Sequence, residues 1–289
     1  MDLSDLHIFK TVAEEGGIAR AAHKLHRVPS NISTRVRQLE QSVGAQLFVR
    51  DKQRLFLSPS GEHLLGYADK LLRLSAEALG AVSQGPPRGV LRLGSLESTA
   101  ASRLPQVLAA YHKAYPEVRV ELTTGTNDAL TAAVLERRVE AAFVVEVPSS
   151  PELAAERLFR ERLVIVSPLD HAPIRRPLDI DGDSVIAFPN GCAYRRVLQH
   201  WLGPARMASV RVLELSSYHA IVACVAAGTG IALVPESVLD TVQHAAVARH
   251  GLPKVHAQVT TPLIWRTADA SPALLALRKV MATVARAAR

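Results

Sequence analysis

At 289 residues the chain has room for about two domains, each burying its own core, and 48% hydrophobic residues fit folded domains and exclude a disordered polymer. Its net charge of +7 permits an anionic partner, and its two cysteines, Cys192 and Cys224, exclude a disulfide framework and a Cys-rich zinc site. No uncharged run approaches the roughly 20 residues of a membrane span, and the acidic start from Met1 to Asp5 lacks the apolar core of a secretion signal, so a cytoplasmic location and no membrane partner are expected.

Leu3, Leu6, Phe9, Val12 and Ala13 mark a first amphipathic helix, stopped by Gly16 and Gly17. Ile18 to His26 reads as a second helix with Ala21, Ala22 and Leu25 as packing residues, and Val28-Pro29 turns the chain into a third. There Ile32, Val36, Leu39 and Val43 recur as one apolar stripe, while Ser30, Asn31, Ser33, Thr34, Arg35 and Arg37 dress the rest with short polar side chains and guanidinium groups. Two helices joined by a short turn make the helix-turn-helix order, whose second member enters the major groove of DNA. Leu47 to Arg50 and Leu55 to Leu57 then form two short strands around a polar tip, a wing that places Arg50 and Arg54 to touch the DNA backbone or minor groove. From Gly16 to Leu57 eight basic residues stand against two acids, so this segment alone carries +6 of the net charge.

A long helix is expected from Pro59 to about Ser83, with Leu65, Ala68, Leu72, Ser75, Leu79 and Val82 spaced as a heptad seam. Such a seam needs a cover. Dimerisation supplies one and also gives two reading heads for a two-fold site; packing against the chain's own head is the alternative. Gln84 to Gly89, rich in glycine and proline, reads as a hinge. Beyond it strands alternate with helices: Val90–Gly94, Ala101–Tyr115, Val118–Thr123, Asn127–Arg138 and Ala141–Val145, then Leu163–Ser167, Val185–Pro189, Tyr194–Leu202, Val210–Leu215, Tyr218–Ala227 and Ile231–Pro235. Gln258–Arg266 is a return strand and Pro272–Ala287 a closing helix. This pattern predicts two doubly wound α/β lobes with a cleft at the strand C-termini.

Pro29 to Glu40, the run Leu47-Phe48-Val49-Arg50, the junction Leu57-Ser58-Pro59-Ser60-Gly61 and the late stretch Ala226 to Pro235 together resemble the LysR-type transcriptional regulators, over the whole chain. Where that family usually has Thr before the linker helix, Ser58 keeps the hydroxyl cap. The resemblance implies an α/β protein overall: a winged helix-turn-helix DNA-binding domain (1–58), a dimerising linker helix and hinge (59–89), and a two-lobed sensor like periplasmic binding proteins (90–289). Lobe I then takes about 90–161 and 267–289, and lobe II about 162–266. It also implies double-stranded promoter DNA as partner, self-assembly into a dimer and a tetramer, a small-molecule effector in the cleft, RNA polymerase as a further partner if the protein activates, and no cofactor.

Within this frame Arg35 and Arg37 are candidates for bidentate guanine contacts or phosphate clamps, Asn31 for adenine, and Ser30, Ser33 and Thr34 for phosphates or bases near the helix start. By analogy with the family's sensor fold, four strand-to-helix turns face the cleft and offer Ser98 and Thr99, Thr126 and Asn127, Cys192, Tyr194 and Arg195, and Tyr218 and His219 to the effector. Hydroxyls and backbone N–H groups at helix starts favour a carboxylate, and Arg195 or Arg196 would add a guanidinium fork, so an anionic or amino-acid-like effector is expected. Ordinary helix capping is the competing account of Ser98, Thr99, Thr126 and Asn127. Cys192 also raises thiol-based sensing, although nothing local brings Cys224 to it.

An α/β enzyme is the second class considered. The chain has no Gly-x-Ser-x-Gly elbow, Walker loop, Gly-x-Gly-x-x-Gly fingerprint or His-Glu-x-x-His, and Gly228-Thr229-Gly230 follows a helix rather than a strand. His244, His250 and His256, six apart, make weak metal-ligand spacing. A solute-binding protein, the third class, would have no use for the basic head.

Overall fold

The protein is described from a computed structural model, which covers residues 1–51, 54–82, 85–180, 182, 184–242 and 246–287, without the side chains of 51, 54, 77, 80–82 and 285–287. The expected wing tip at Lys52 and Gln53, the Arg54 and Val82 side chains, and His244 lie outside the described residues. The chain divides into two compact units, Met1–Gln84 and Gly85–Arg289.

The first unit opens with α1 (Leu3–Glu15), whose start is closed by a reciprocal cap: Asp5 N donates to Asp2 Oδ1 at 2.8 Å and Asp2 N to Asp5 Oδ2 at 3.1 Å. Helices α2 (Ile18–Lys24) and α3 (Pro29–Val43) follow, the latter with proline in its first turn and an extended Val28 before it. Ile32, Val36 and Leu39 are buried against Leu6, Phe9, Val12, Ala21 and Ala22, whereas Val43, the fourth member of the expected stripe, is exposed. Strands β1 (Phe48–Asp51) and β2 (Arg54–Leu57) pair antiparallel as the wing. Glu40 ties the wing to α3, since Leu47 N and Phe48 N both donate to its Oε1 at 2.8 and 3.3 Å.

Helix α4 (Pro59–Val82) starts on the expected cap, with Gly61 N donating to Ser58 Oγ at 3.0 Å and Ser58 Oγ donating to Gln46 O at 2.6 Å. Gly61 is needed for a steric reason: a Cβ there would run into the Leu47 carbonyl oxygen. The heptad seam is divided. Ala68 is fully buried in the head's core, with Leu65 and Leu72 packed against the same cluster, so this part of the seam is covered by the chain's own head. Leu79 of the expected seam is exposed, and beside it a second stripe, Tyr67, Leu71 and Leu74, faces outward.

The second unit begins β3 (Gly89–Ser95), α5 (Glu97–Ser102), α6 (Leu104–Ala114), β4 (Val118–Thr124), α7 (Asn127–Leu135), β5 (Ala141–Phe143). One helix was expected over Ala101–Tyr115; Pro105 has no N–H to continue the ladder of α5, and the chain breaks into two helices at Arg103. Next come β6 (Leu153–Pro168), β7 (Ser184–Ala187), α8 (Ala193–Ser209, kinked at Gly203), β8 (Arg211–Glu214), α9 (Tyr218–Ala226) and β9 (Ile231–Pro235). The chain ends with α10 (Glu236–Leu239), β10 (Val247–Gly251), α11 (Lys254–Ala257), β11 (Gln258–Arg266) and α12 (Pro272–Ala287).

The strands run in the order β4-β3-β5-β11-β6-β9-β7-β8, with β10 on β6. In the first lobe β3 pairs parallel with β4 and β5; in the second β7 pairs parallel with β8 and β9. Two antiparallel strands, β6 and β11, cross between the lobes. β6 is longer than the expected Leu163–Ser167 strand: its first half pairs with β11, its second with β9 and β10. β11 likewise serves both lobes, Leu263–Trp265 pairing with β5 and Gln258–Thr261 lying against Phe159–Arg162. Each lobe has its own apolar core, one around Leu93, Tyr111, Leu263 and Leu274, the other around Val164, Ile186, Leu198 and Ile221. The late stretch that carried the resemblance has a packing basis: Gly228, in the left-handed region at φ 83°, closes α9, and Gly230 lies so close to the Ser184 backbone that a side chain would collide.

His250 is buried between β10 and the loop at Ile174. Ile174 N donates to its Nδ1 at 3.1 Å, which leaves the ring proton on Nε2 to donate to Ser167 Oγ at 2.8 Å. That is the wrong tautomer for a histidine activating a serine, so this pair holds structure. Burial, with His171 nearby, lowers the His250 pKa below its usual 6.5. The unfolded chain therefore takes up the proton first as pH falls, and stability is complete above about pH 6.5 and lost below it. We expect the melting temperature to drop between about pH 7 and about pH 5, and His250→Gln to flatten that slope; equal slopes in the two proteins would refute the assignment.

Candidate DNA-reading face and effector cleft

On the first unit Ser30, Asn31, Thr34, Arg37 and Arg50 are exposed and Ser33 is half-buried. Ser33, Arg37 and Arg50 line one open recess between α3 and the wing, with Glu40 at its floor holding the strand in place. Arg37 and Arg50 make no ion pair among the described residues, so both guanidinium groups are available. Arg27 Nη1 donates to Asn31 Oδ1 at 3.4 Å, a long bond that a base edge would readily replace.

Arg35 is placed otherwise than expected. Its Nε lies 2.9 Å from Asp5 Oδ1 and its Nη2 3.3 Å from Asp2 Oδ2, both at the start of α1. The Asp5 N–H, with help from Arg35, holds the Asp2 carboxyl below its ordinary range. Arg35 thus pairs with the start of α1, its side chain 30% exposed.

In the second unit the four strand-to-helix turns converge on one pocket. Leu96, Glu97 and Ser98 come from the first, Gly125 and Thr126 from the second, Cys192, Ala193 and Tyr194 from the third, and Tyr218 from the fourth; Phe188 completes the wall. Its volume is about 10 Å³, room for about one water, so the lobes stand close together. Phe188 and Tyr218 rings lie 4.6 Å apart, Tyr194 and Tyr218 6.5 Å apart. Burial raises the pKa of both tyrosines, which keeps their hydroxyls protonated donors.

The polar atoms here are under-used. Ser98 Oγ, Thr99 Oγ1, Tyr194 Oη, Thr261 Oγ1 and Glu97 Oε2 are buried without a hydrogen-bond partner among the described residues, although Ser98 and Thr261 stand beside the Tyr194 hydroxyl. Glu97 Oε1 accepts from Tyr218 N across the cleft at 3.3 Å; burial raises the Glu97 pKa, while that N–H and, less, the exposed His219 oppose the rise, and His219 itself is not among the lining residues.

Among the other expected contacts, Thr126 and Cys192 line the pocket while Asn127 and Arg195 do not. Thr126 caps α7 through Ala129 N. Asn127 is consumed by the chain after β5, its Oδ1 accepting from Val145 N and Glu146 N and its Nδ2 donating to Glu146 O. Arg195 turns away from the pocket to the Phe188 carbonyl and Glu214. Cys192 is buried, which raises its thiol pKa, and both cysteines are free, so thiolate chemistry gains no support. Leu96, Glu97, Gly125, Phe188 and Ala193 line the pocket without having been candidates; Glu97 lay inside a turn singled out for its hydroxyls.

A winged helix-turn-helix with an outward guanidinium face, in one chain with a two-lobed α/β domain closing on a polar pocket, defines a ligand-responsive DNA-binding regulator. Residues 3–62 match the bacterial regulatory helix-turn-helix proteins of the lysR family, and residues 84–286 the LysR substrate binding domain. The chain is 34% identical to the HTH-type transcriptional regulator GltR of Bacillus subtilis (strain 168) over 268 residues, 92% of this chain and 90% of that one. It is 30% identical to the regulator SoxR of an Arthrobacter species over 268 residues, 92% of this chain and 91% of the relative. Among solved structures it resembles full-length CbnR complexed with its target DNA, with TM-score 0.72 and 21% identity over 98% of this chain and 99% of CbnR. A full-length OxyR variant from Pseudomonas aeruginosa shows the same fold, with TM-score 0.70 and 21% identity over 99% and 95%. The chain belongs to the LysR family. It is a DNA-binding transcriptional regulator with an effector-binding domain, not an enzyme.

Proposed function

We propose that the effector is a small zwitterion of the amino-acid type, held between Glu97 and the hydroxyls of Ser98 and Tyr194. One observation carries this reading: Glu97 is the charged residue of the pocket lining, and its buried Oε2 has no hydrogen-bond partner among the described residues. An ammonium group satisfies that oxygen, and the hydroxyls with Thr126 nearby suit a carboxylate. A purely anionic effector would meet Glu97 with no facing arginine, because Arg195 is engaged with Glu214. The ring pair Phe188 and Tyr218 gives an apolar wall for the side chain. A thermal-shift panel of amino acids and amine-free carboxylic acids tests this. An amino acid should raise the melting temperature, and Glu97→Gln should abolish the rise; stabilisation by amine-free acids alone refutes it.

On DNA, we assign Arg37 and Arg50 to base edges or phosphates, with Ser30, Asn31, Ser33 and Thr34 beside them. The protein acts as a dimer through α4, whose exposed Tyr67, Leu71 and Leu74 supply the apolar face, and two dimers form a tetramer on promoter DNA in the cytoplasm. RNA polymerase is a further partner if the protein activates. Among the described residues no helix is long and apolar enough to cross a membrane.

A further inference from the structure

We propose that Arg196 is a strap holding the two lobes of the sensor closed over the pocket. It stands on α8 in the second lobe, and its guanidinium reaches two carboxylates of the first. Nη2 donates to Glu146 Oε2 at 2.6 Å and Nε to Oε1 at 3.3 Å, while Nη1 and Nη2 donate to Asp128 at 3.2 and 3.3 Å. The acid pair is built to receive it. Asn127 grips the backbone of Val145 and Glu146, which sets Glu146 beside Asp128 in the first turn of α7. Two carboxylates side by side repel one another, and the cation that relieves them comes from the other lobe. Parting the lobes therefore separates three charges that have no other ion-pair partner among the described residues.

The strap lies within a turn of the pocket wall, since Cys192, Ala193 and Tyr194 precede Arg196 on the same segment. It differs in kind from the contact at the crossing strands. There Glu161 of β6 is buried and accepts from Arg103 of the first lobe and from Ser237 Oγ of the second. The Arg196 contacts are partly exposed and so respond to salt. The pocket admits about one water as it stands, so this strap sets how often the cleft opens to admit anything larger.

The two cysteines provide a readout that needs no effector. Cys192 is buried in the pocket between the lobes, whereas Cys224 sits on α9 within the second lobe and reports general loosening. In the full chain, alkylation of each cysteine is followed by peptide mass spectrometry with iodoacetamide. Arg196→Gln should raise the Cys192 rate roughly three- to tenfold and leave Cys224 unchanged. The paired change Asp128→Asn with Glu146→Gln should do the same, and about 1 M salt should raise the rate in the unaltered protein but not in Arg196→Gln. Glu214→Gln, which breaks an ion pair inside the second lobe, should have no effect on Cys192. An unchanged Cys192 rate in both strap variants, a parallel rise of Cys224, or an equal response to Glu214→Gln would overturn the proposal.

Discussion

Arg37→Ala should lower operator affinity by about 1–3 kcal/mol, roughly 5- to 150-fold, without changing the melting temperature. Its guanidinium is exposed beside Ser33 and Arg50 and makes no ion pair among the described residues, so its removal leaves nothing buried unsatisfied. Arg35→Ala should behave in the opposite way. It strips the partner from Asp5, whose side chain is 10% exposed, and should cost about 1–2 kcal/mol of stability with a smaller loss of operator affinity. Fluorescence anisotropy on operator and on unrelated duplexes, with melting curves of both variants, separates the roles. A loss for Arg37→Ala that is equal on every duplex makes it a phosphate contact, and no loss removes it from the interface. Strong affinity loss with unchanged stability in Arg35→Ala would return that residue to the DNA.

Gly61→Ala should destabilise the first unit by about 1–3 kcal/mol, more than an ordinary surface change in the first turn of a helix. The new methyl group would collide with the Leu47 carbonyl oxygen, and that backbone cannot yield cheaply. Ser58 N donates to the same oxygen at 2.9 Å, and Leu47 N is held by Glu40. The collision pushes the start of α4 away from the wing and weakens the burial of Ala68. Urea unfolding of the full chain, followed by a probe in the first unit, gives the measurement; a midpoint shift within error would show that α4 can move at no cost.

What could be read in the sequence was what depends on neighbours along the chain. The stripe Ile32, Val36 and Leu39 follows from helical period alone, and the four turns that meet in the cleft follow from strand-to-helix order read by analogy with the LysR sensor fold. The failures are long-range or rotational. Arg35 finds its partners thirty or more positions back, at Asp2 and Asp5, so no local pattern could separate it from Arg37. Arg195 and Arg196 are adjacent, yet about 100° apart around a helix, and one meets its own lobe while the other meets the opposite one. The seam on α4 was a sound period, but period does not say what covers a face: the head took Leu65, Ala68 and Leu72. β10 escaped notice because Val-Ala-Arg-His-Gly has neither apolar continuity nor clean alternation, and its pairing with β6 is what makes it a strand.

The crossing strands have a consequence for inheritance of the fold. β6 and β11 run through both lobes, but their register slips once: Thr261 faces Phe159 and Pro262 faces Arg157, which leaves Leu158 as an extra residue on β6. Elsewhere in β6 a one-residue deletion or insertion would turn the following side chains to the opposite face, whereas at Leu158 it would remove or widen a bulge that the strand already carries. The bulge therefore lets each half of the sensor keep its own alternation of faces on a strand they share, like two gears set on one shaft with a slip between them. Lobes that look like separable modules can diverge in side chains, and a change of one residue in the shared strand is absorbed most readily at Leu158.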